Sequence, residues 1–265
     1  MSSRMAPYTS SVLCSKANHM KDNFSDNAGN YARFRPRYPQ ELIDHLLTFV
    51  PATRAAWDCG TGNGQLAGML APFFNEIHAT DISMEQMREG DRSPNIWYSI
   101  QPAEKSGFND NQFDLITIAQ AIHWFQFKDF YREAKRTLVD GGIIAVIGYG
   151  LIQTSEPLQK IIDHLYRNTI GPYWDAERRY IDEGYQTIPF PFHEIPMPAF
   201  RMEYEWTSAQ LTGYLNTWSA VKHYIKQTGK NPVTDLEDPI KECFGDSTLL
   251  SFSFPLLLRV GINQK

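Results

Sequence analysis

A glycine-rich segment at residues 57–65, WDCGTGNGQ, constrains the fold of this chain most strongly. Residues 53–59 are predicted to form a strand that enters this turn, and residues 66–73 are predicted to form a helix that leaves it. Glycine tolerates the backbone of a tight turn and allows a ligand to approach the main chain closely. Because a helix N-terminus follows, the segment predicts a strand–turn–helix unit that binds a ligand.

Strands and helices are predicted to alternate across residues 40–150. Further strands are predicted at residues 76–80, 95–100, 113–119 and 143–148. Helices are predicted at residues 39–49, 83–88 and 128–138, the last of them stopped by Asp140, Gly141 and Gly142. Such alternation indicates an α/β protein in which helices cover a parallel sheet.

The alternation ends near residue 150. Residues 151–200 combine helical segments rich in Tyr and Trp with a proline-rich stretch, and they are too aromatic for a solvated linker. A strand at residues 201–206, a helix at 208–224 with Ser208 as its N-cap, and a long strand at 249–262 follow. We expect four parts, namely an extended or disordered tail at 1–23, a ligand-binding core with an N-terminal lid at 24–150, a cap insertion at 151–200, and a completion of the core sheet at 201–265.

Composition narrows the class of protein. The chain has 265 residues, 42% of them hydrophobic, which is enough for one large α/β domain with an appended cap. A formal net charge of -5 gives no basic surface for nucleic acid. Three cysteines without close pairs argue against a disulfide framework and against structural zinc, and we expect no metal site. With no apolar run long enough for a bilayer and no secretory signal, we expect a cytoplasmic monomer or homodimer with a small-molecule substrate.

Two acids select the ligand that the glycine turn binds. A dinucleotide site has the spacing G-x-G-x-x-G, whereas these glycines have the spacing G-x-G-x-G, and Gln65 occupies the third glycine position. Asp58 precedes the glycines and is a poor neighbour for a pyrophosphate, but it suits a ligand with a positive end. Asp81 ends the next predicted strand and is placed to accept hydrogen bonds from ribose hydroxyls. This pattern favours S-adenosylmethionine over NAD.

The segment at residues 57–64 resembles the first motif of class I S-adenosylmethionine-dependent methyltransferases (methyltransferase type 11 group), a resemblance that covers residues 31–148. The stretches QAIHWF at 120–125, YARFRPRYP at 31–39 and GYLNTWSA at 213–220 are similar to the trans-aconitate methyltransferase subgroup. The resemblance implies a Rossmann-like sheet of seven strands in the order 3-2-1-4-5-7-6. The last strand would be antiparallel, helices would cover both faces, and a helical, aromatic cap would follow strand 5.

The resemblance also implies which residues hold the cofactor. Asp58, with the backbone of Gly60 and Gly62, would bind its amino-acid end, and Asp81 would bind its ribose. Candidates for the remaining contacts are Ile82 beside the adenine, Ala103 or Glu104 on the adenine edge, Gln120 at the methionine moiety, and Tyr31 and Arg35 in a lid, where Arg35 could pair with the methionine carboxylate. Alternatively, Glu104 is an exposed loop acid, and the segment with Tyr31 and Arg35 is an N-terminal arm that packs through its aromatic residues.

His123 is the candidate catalytic residue, either as a general base or as a group that orients the substrate. We favour orientation, because a carboxylate nucleophile needs no base. The remaining candidates for the substrate pocket are aromatic. Trp124 is expected to be a wall, Tyr173 and Trp174 belong to a roof, and Trp218 could reach the same cavity or pack within its helix. The expected activity is methyl transfer to a small molecule, a carboxylate by resemblance. Alternatives are a phenol, an amine or a protein as acceptor, a non-catalytic cofactor-binding protein, and an NAD-dependent oxidoreductase.

Overall fold

A computed structural model describes residues 34–265. The predicted tail at 1–23, the candidate cofactor residue Tyr31 and the first part of the predicted lid lie outside the described residues. Within the described range, no helix combines the length and the apolar character that crossing a membrane requires.

The described residues build a sheet of eight strands. The strands are β1 (Ala55–Cys59), β2 (Glu76–Asp81), β3 (Ile96–Ile100), β4 (Phe113–Ala119), β5 (Leu138–Tyr149), β6 (His193–Ile195), β7 (Arg201–Trp206) and β8 (Leu250–Ile262). Their order is β3-β2-β1-β4-β5-β8-β6, and β7 also pairs with β8. Strands β1 to β5 are parallel to one another, whereas β8 is antiparallel to β5. The Rossmann-like class I methyltransferase fold is therefore confirmed.

The far edge of the sheet differs from the expected single strand. Strand β7 pairs with residues 250–255 of β8, and the short β6 pairs with residues 260–262 of the same strand. The long β8 thus carries two short edge strands in succession. Because β6 lies within residues 151–200, the segment predicted as a cap also contributes a strand to the core sheet.

Helices flank the sheet. They are α1 (Gln40–Leu47), α2 (Gln65–Leu70), α3 (Met84–Met87), α4 (Phe127–Thr137), α5 (Glu156–His164), α6 (Arg179–Asp182), α7 (Ser208–Leu215), α8 (Ser219–Thr228) and α9 (Glu237–Phe244). Alternate residues of the central strands enter two separate cores, as in β1, where Ala56 packs into one core and Trp57 into the other. Since successive strand residues point to opposite faces, both faces of the sheet are buried under helices.

The boundary between α4 and β5 differs from the prediction. Helix α4 ends at Thr137 and β5 begins directly at Leu138, so the residues predicted to stop the helix lie inside the strand. The pairing of β4 with β5 shifts register between Phe113 and Leu115, and Gly141 has a φ of 74° there. Asp140, Gly141 and Gly142 therefore form a bulge in the strand, a role that glycine also favours.

The predicted helix at 208–224 is two helices, α7 and α8, separated by Asn216, Thr217 and Trp218. The N-cap of α7 is Thr207 and not Ser208, because the Thr207 hydroxyl accepts a hydrogen bond from the Gln210 backbone N–H at 3.2 Å. The Gln210 side chain accepts in return from the Thr207 backbone N–H at 2.9 Å. This capping box has the Thr-x-x-Gln spacing, which the sequence contains and the prediction overlooked.

Candidate active site

The glycine turn is bonded to the end of the neighbouring strand. The backbone N–H groups of Gly60 and Thr61 both donate to the Thr80 carbonyl, at 2.8 and 2.9 Å. Gly60 and Gly62 have φ values of 70° and 55°, in the left-handed region that favours glycine. The N–H of Gly62 donates to Asp81 Oδ2 at 2.9 Å. The turn and Asp81 are therefore joined by hydrogen bonds at the carboxyl ends of β1 and β2.

A cavity of about 610 Å³ opens at this edge of the sheet. Its volume lies within the usual range for small-molecule sites. Eight of the predicted cofactor residues line it, namely Arg35, Gly60, Gly62, Asp81, Ile82, Ala103, Glu104 and Gln120. Residues far apart in the sequence thus meet in one space, which we call the large cavity.

The composition of the large cavity fits S-adenosylmethionine. Asp81 accepts backbone hydrogen bonds on both carboxylate oxygens, from Gly62 and from Ser83, each at 2.9 Å. These bonds orient the carboxylate at the cavity, and carboxylate oxygens are acceptors that match ribose hydroxyls. Ile82 beside it is 41% exposed and supplies an apolar surface for a flat base. The residues that are present therefore suit the adenosine part of this cofactor.

Asp58 lies beneath the glycine turn and does not line the large cavity. Its side chain is buried, and it accepts hydrogen bonds from the hydroxyls of Thr61 at 2.5 Å and Thr117 at 2.9 Å. Thr117 is its neighbour because β1 and β4 pair Asp58 with Thr117. Burial raises the pKa of Asp58 to about 6, although both hydroxyls act in the opposite direction. The structure thus gives Asp58 a supporting contact to the turn, and its contact with the cofactor stays a prediction.

Glu104 connects the cavity wall to a helix. Its Oε1 accepts a hydrogen bond from the backbone N–H of Gln126, the N-cap residue of α4, at 2.8 Å. Glu104 also lines the large cavity. The carboxylate therefore lies at the cavity wall and is not a freely solvated loop acid.

Gln120 has an unusual backbone at the end of β4. Its φ of 53° lies in the left-handed region, where a non-glycine residue costs about 1–3 kcal/mol. The conformation is held by hydrogen bonds from its N–H to the Ile147 carbonyl at 2.8 Å and from its side-chain amide to the Tyr149 carbonyl at 3.2 Å. Backbone strain of this kind concentrates at functional sites. Here it turns the chain away from the sheet into the short 3-10 helix Ile122–Trp124.

A second space of about 50 Å³ lies beyond this turn, and we call it the small chamber. It shares Arg35, Gln120 and Trp124 with the large cavity. Its other lining residues are His123, Trp174, Asp175, Arg178, Ile181, Trp218 and Ser219. The fold therefore brings four of the five predicted substrate residues together, next to the cofactor side.

Tyr173 is the exception among the predicted substrate residues. It does not line either space, and its backbone carbonyl accepts a hydrogen bond from His223 Nδ1 at 3.0 Å. Its ring packs on Tyr224 with a centroid distance of 5.0 Å. Within the structure, Tyr173 thus joins the segment above the chamber to α8.

His123 is buried at the chamber wall. Burial, with a further contribution from Arg178, lowers the pKa of His123 to about 3. Its imidazole is consequently neutral at physiological pH. Such a weakly basic group is poorly matched to general base catalysis near pH 7, which favours the orienting role over proton abstraction.

Arg178 is a charged chamber residue that the sequence analysis did not identify. Its Nε donates to the Tyr166 hydroxyl at 2.7 Å, and that hydroxyl donates to Asp182 Oδ1 at 2.6 Å. The guanidinium also lies over the Trp174 ring, 4.7 Å from the centroid. In the sequence, the one sign of a role for Arg178 is its i, i+4 spacing from Asp182 within an aromatic segment. This spacing alone indicates only a surface ion pair.

The described part of the predicted lid contacts both cavities. Arg35 Nη1 donates to the Tyr149 hydroxyl at 2.6 Å, so the segment is held at the end of β5. The Gln65 side chain donates to the Pro36 carbonyl at 3.3 Å. Gln65, which replaces the third glycine of a dinucleotide site, therefore connects the helix after the glycine turn to this segment.

Comparisons with known proteins agree with this geometry. A family model described as a methyltransferase domain matches residues 57–146. A Dictyostelium discoideum protein assigned as a methyltransferase is 31% identical over 245 residues, which cover 89% of this chain and 93% of that protein. A Saccharomyces cerevisiae protein assigned as an S-adenosylmethionine-dependent methyltransferase is 25% identical over 139 residues, covering 49% of this chain and 47% of that protein.

A solved structure from Anaeromyxobacter dehalogenans, assigned as a type II methyltransferase, is 35% identical with a TM-score of 0.81, and the match covers 87% of this chain and 99% of that one. The fold and the large cavity define a class I methyltransferase that uses S-adenosylmethionine. By its similarity to these relatives, the chain belongs to the methyltransferase family.

Proposed function

We propose that this enzyme methylates a small molecule that carries a carboxylate, and that a carboxylate group of the acceptor binds in the small chamber. The observation that carries the proposal is the pair of guanidinium groups, Arg35 and Arg178, which line the chamber together. Arginine matches the planar geometry of a carboxylate and forms two parallel hydrogen bonds with it. Asp175 also lines the chamber, so the formal charge of its wall stays positive by one unit.

The large cavity is the proposed cofactor site. The backbone of Gly60 and Gly62, the carboxylate of Asp81 and the surfaces of Ile82 and Ala103 would hold the cofactor there. When bound, S-adenosylmethionine would supply a methyl group from its positively charged sulfur to an oxygen of the acceptor. The product S-adenosylhomocysteine would keep an uncharged sulfur. The chain's part in this displacement is to hold the acceptor in line and to exclude water.

The boundary between the two spaces provides that alignment. Arg35, Gln120 and Trp124 border both of them, so an acceptor held in the chamber faces the cofactor side. Arg178 is already oriented by Tyr166 and Trp174, which reduces the side-chain entropy lost when an acid binds. We propose that residues 24–150 act as a cofactor core with a lid, that residues 151–200 act as a cap over the acceptor, and that residues 201–265 complete the sheet.

A methyl-transfer screen tests the substrate class. Small mono-, di- and tricarboxylates are compared with their own amides and alcohols, and with amines and phenols of similar size, by the release of S-adenosylhomocysteine. We expect release with carboxylates and little with the matched neutral compounds. Activity that is confined to amines, phenols or a protein would contradict the proposed acceptor while leaving methyl transfer itself intact.

Replacing Arg178 by Met tests the role of the guanidinium. Met retains much of the length of the side chain but removes a charged hydrogen-bond donor, so we expect KM for the carboxylate to rise about 10- to 100-fold. Arg178 does not line the large cavity, so the calorimetric affinity for S-adenosylhomocysteine should stay within about twofold.

Arg179→Met is the matched control, because Arg179 is the adjacent residue and its guanidinium lies over the Tyr180 ring outside the chamber. Equal increases in KM for the two variants would remove the proposed role of Arg178.

A further inference from the structure

We propose that Tyr185 is a positioning residue that fixes the tautomer of His123, so that the imidazole presents its Nε2–H to the acceptor as a hydrogen-bond donor. The inference rests on the proposed methyl transfer and deepens it. It assigns a function to a tyrosine that no sequence motif indicates and that lies behind the chamber wall.

The two side chains form a contact inside the protein. Tyr185 is completely buried, and its hydroxyl lies 3.3 Å from His123 Nδ1. The two rings are stacked, with centroids 6.1 Å apart and planes inclined by 25°. Among the described residues 34–265, His123 Nδ1 is the hydrogen-bond partner of this hydroxyl. His123 itself lines the small chamber. Because Tyr185 is at Nδ1, the second ring nitrogen, Nε2, is the one available to a methyl acceptor in the chamber.

The backbone at Tyr185 adopts a costly conformation to make this contact. Its φ is 62°, in the left-handed region, which costs a non-glycine residue free energy. The Tyr185 N–H donates to the Tyr180 carbonyl at 2.7 Å, which holds the turn. On the opposite side, a Cβ at Gly148 would lie 2.5 Å from Tyr185 Cε2 and 2.8 Å from its hydroxyl. Strand β5 therefore accommodates the tyrosine only because it has a glycine at this position.

The edge of the sheet also supports the turn. Arg259 Nη1 on β8 donates to the Tyr185 carbonyl at 3.2 Å and to the Ile188 carbonyl at 2.6 Å. The same guanidinium forms two bonds of 2.9 Å with the carboxylate of Glu194 on β6. The unexpected strand β6 thus supplies an ion pair that holds Arg259 against the Tyr185 turn. Three separate elements stabilise one tyrosine behind His123.

Hydrogen-bond satisfaction decides the direction of the contact. If Nδ1 carried the proton and donated to the tyrosine, the buried hydroxyl hydrogen would have no acceptor among the described residues, which is costly. If the hydroxyl donates to Nδ1, every buried donor of the pair is satisfied. Burial raises the pKa of Tyr185 well above its usual range, so the hydroxyl keeps its proton. A neutral imidazole that accepts at Nδ1 must carry its proton on Nε2.

The other charged groups at the chamber fit this assignment. The positive charge of Arg178 disfavours a positively charged His123 imidazole. Arg35 and Asp175 lie on the same chamber wall as His123. A neutral Nε2–H donor is suited to hold an acceptor oxygen. It is unsuited to remove a proton, which a carboxylate acceptor does not require.

Nitrogen NMR of the full chain with nitrogen-15-labelled histidine tests the tautomer without any substrate. The chain has seven histidines, so the signal of His123 is assigned by its loss in His123→Gln. We expect an unprotonated Nδ1 and a protonated Nε2 that persist from about pH 5 to 8, the range over which an ordinary histidine titrates. A wild-type signal from the Nδ1–H tautomer, or titration within that range, would overturn the proposal.

Tyr185→Phe removes the hydroxyl and keeps the ring. We expect the His123 signal to change to the Nδ1–H form or to a mixture, and kcat/KM to fall about tenfold, as for the loss of one oriented hydrogen bond. Tyr131→Phe is the control, since the Tyr131 hydroxyl is buried without a hydrogen-bond partner in the described residues. An unchanged His123 signal in Tyr185→Phe would refute the role of Tyr185.

The test separates this inference from the proposed function. The wild-type spectrum reports the tautomer even if Tyr185→Phe does not fold, and it needs no acceptor. Conversely, a carboxylate screen that fails leaves the spectrum interpretable, and a wrong tautomer leaves the screen unaffected.

Discussion

The large cavity and the small chamber meet at Arg35, Gln120 and Trp124, but they are built from different parts of the chain. The large cavity is formed by the ends of neighbouring parallel strands, and the glycine turn and the carboxylates of Asp81 and Glu104 lie at its wall. The small chamber is formed mainly by indole, imidazole and guanidinium side chains from four distant parts of the chain, namely Arg35 and residues within 120–124, 174–181 and 218–219. The match to the methyltransferase domain spans residues 57–146, which contain most of the first wall and only part of the second.

Under the proposed function, the two spaces separate cofactor binding from acceptor binding. The shape of the large cavity depends on the strand ends and the glycine turn, so it depends strongly on the backbone conformation. A site made of side chains changes its ligand when one residue changes. We therefore expect substitutions at the large cavity to affect folding and cofactor binding together, and substitutions at the chamber to affect the acceptor alone.

Gly60→Ala should have the largest effect, because it disrupts the backbone that forms the large cavity. The new Cβ would lie 2.6 Å from Ala121 Cβ and would force a left-handed alanine. The conformational cost and the overpacking together predict a loss of about 2–5 kcal/mol in the free energy of unfolding, with weaker binding of S-adenosylhomocysteine. Urea denaturation and calorimetric titration measure the two effects.

Gly141→Ala is the matched control. Gly141 has a φ of 74°, and a Cβ there would meet no atom within 4 Å, so this variant reports the backbone cost alone. If Gly60→Ala were no worse than Gly141→Ala in either measurement, close packing around the glycine turn would not be a requirement of the large cavity.

Asp58→Asn should have an intermediate effect that depends on pH. The folded pKa of about 6 lies above the ordinary value of 3.8, so the folded state retains a proton that the unfolded chain releases as pH rises through this window. This contribution to stability is present below about pH 4 and is lost by about pH 6. The variant has no such titration, so its free energy of unfolding should rise relative to wild type by up to about 3 kcal/mol between pH 4 and 7.

Urea denaturation at several pH values measures this difference. Asp238→Asn is a suitable control, because that side chain is 90% exposed. If the difference in the free energy of unfolding between Asp58→Asn and wild type stayed constant with pH, the Asp58 carboxylate would have an ordinary pKa. The distinction between Asp58, which supports the turn from below, and the residues that line the large cavity would then be weaker.

Tyr173→Leu should have the smallest effect on the reaction, and it defines the limit of the chamber. Because Tyr173 does not line the chamber, we expect KM for the acceptor to change by less than about twofold. Trp174→Leu, one residue later, removes the ring beneath the Arg178 guanidinium and should raise KM about tenfold. Steady-state kinetics of both variants provides the test, and a larger effect from Tyr173→Leu would place Tyr173 in the acceptor site after all.

Local patterns predicted the sheet well and its irregularities poorly. Strands β4 and β7 begin and end at their predicted residues, because the apolar run of the buried β4 and the alternation of buried and exposed residues in β7 are both clear local patterns. The bulge at Gly141 and the division of the 208–224 segment into two helices were missed. Both depend on pairing or packing with a distant segment, and the hydrophobic pattern of one segment does not report that pairing.

For the candidate site, the sequence by itself predicted residues that line the large cavity, including the glycine turn, Asp81 and Gln120. Those residues follow strand ends along one continuous stretch, and the requirements of a tight turn and of ribose recognition are local. Only the tertiary structure placed Arg178 and Tyr185 beside His123. Their position depends on the packing of residues 151–200 against α8 and β8, and the free energy of that packing is distributed over contacts between residues that are far apart in the chain.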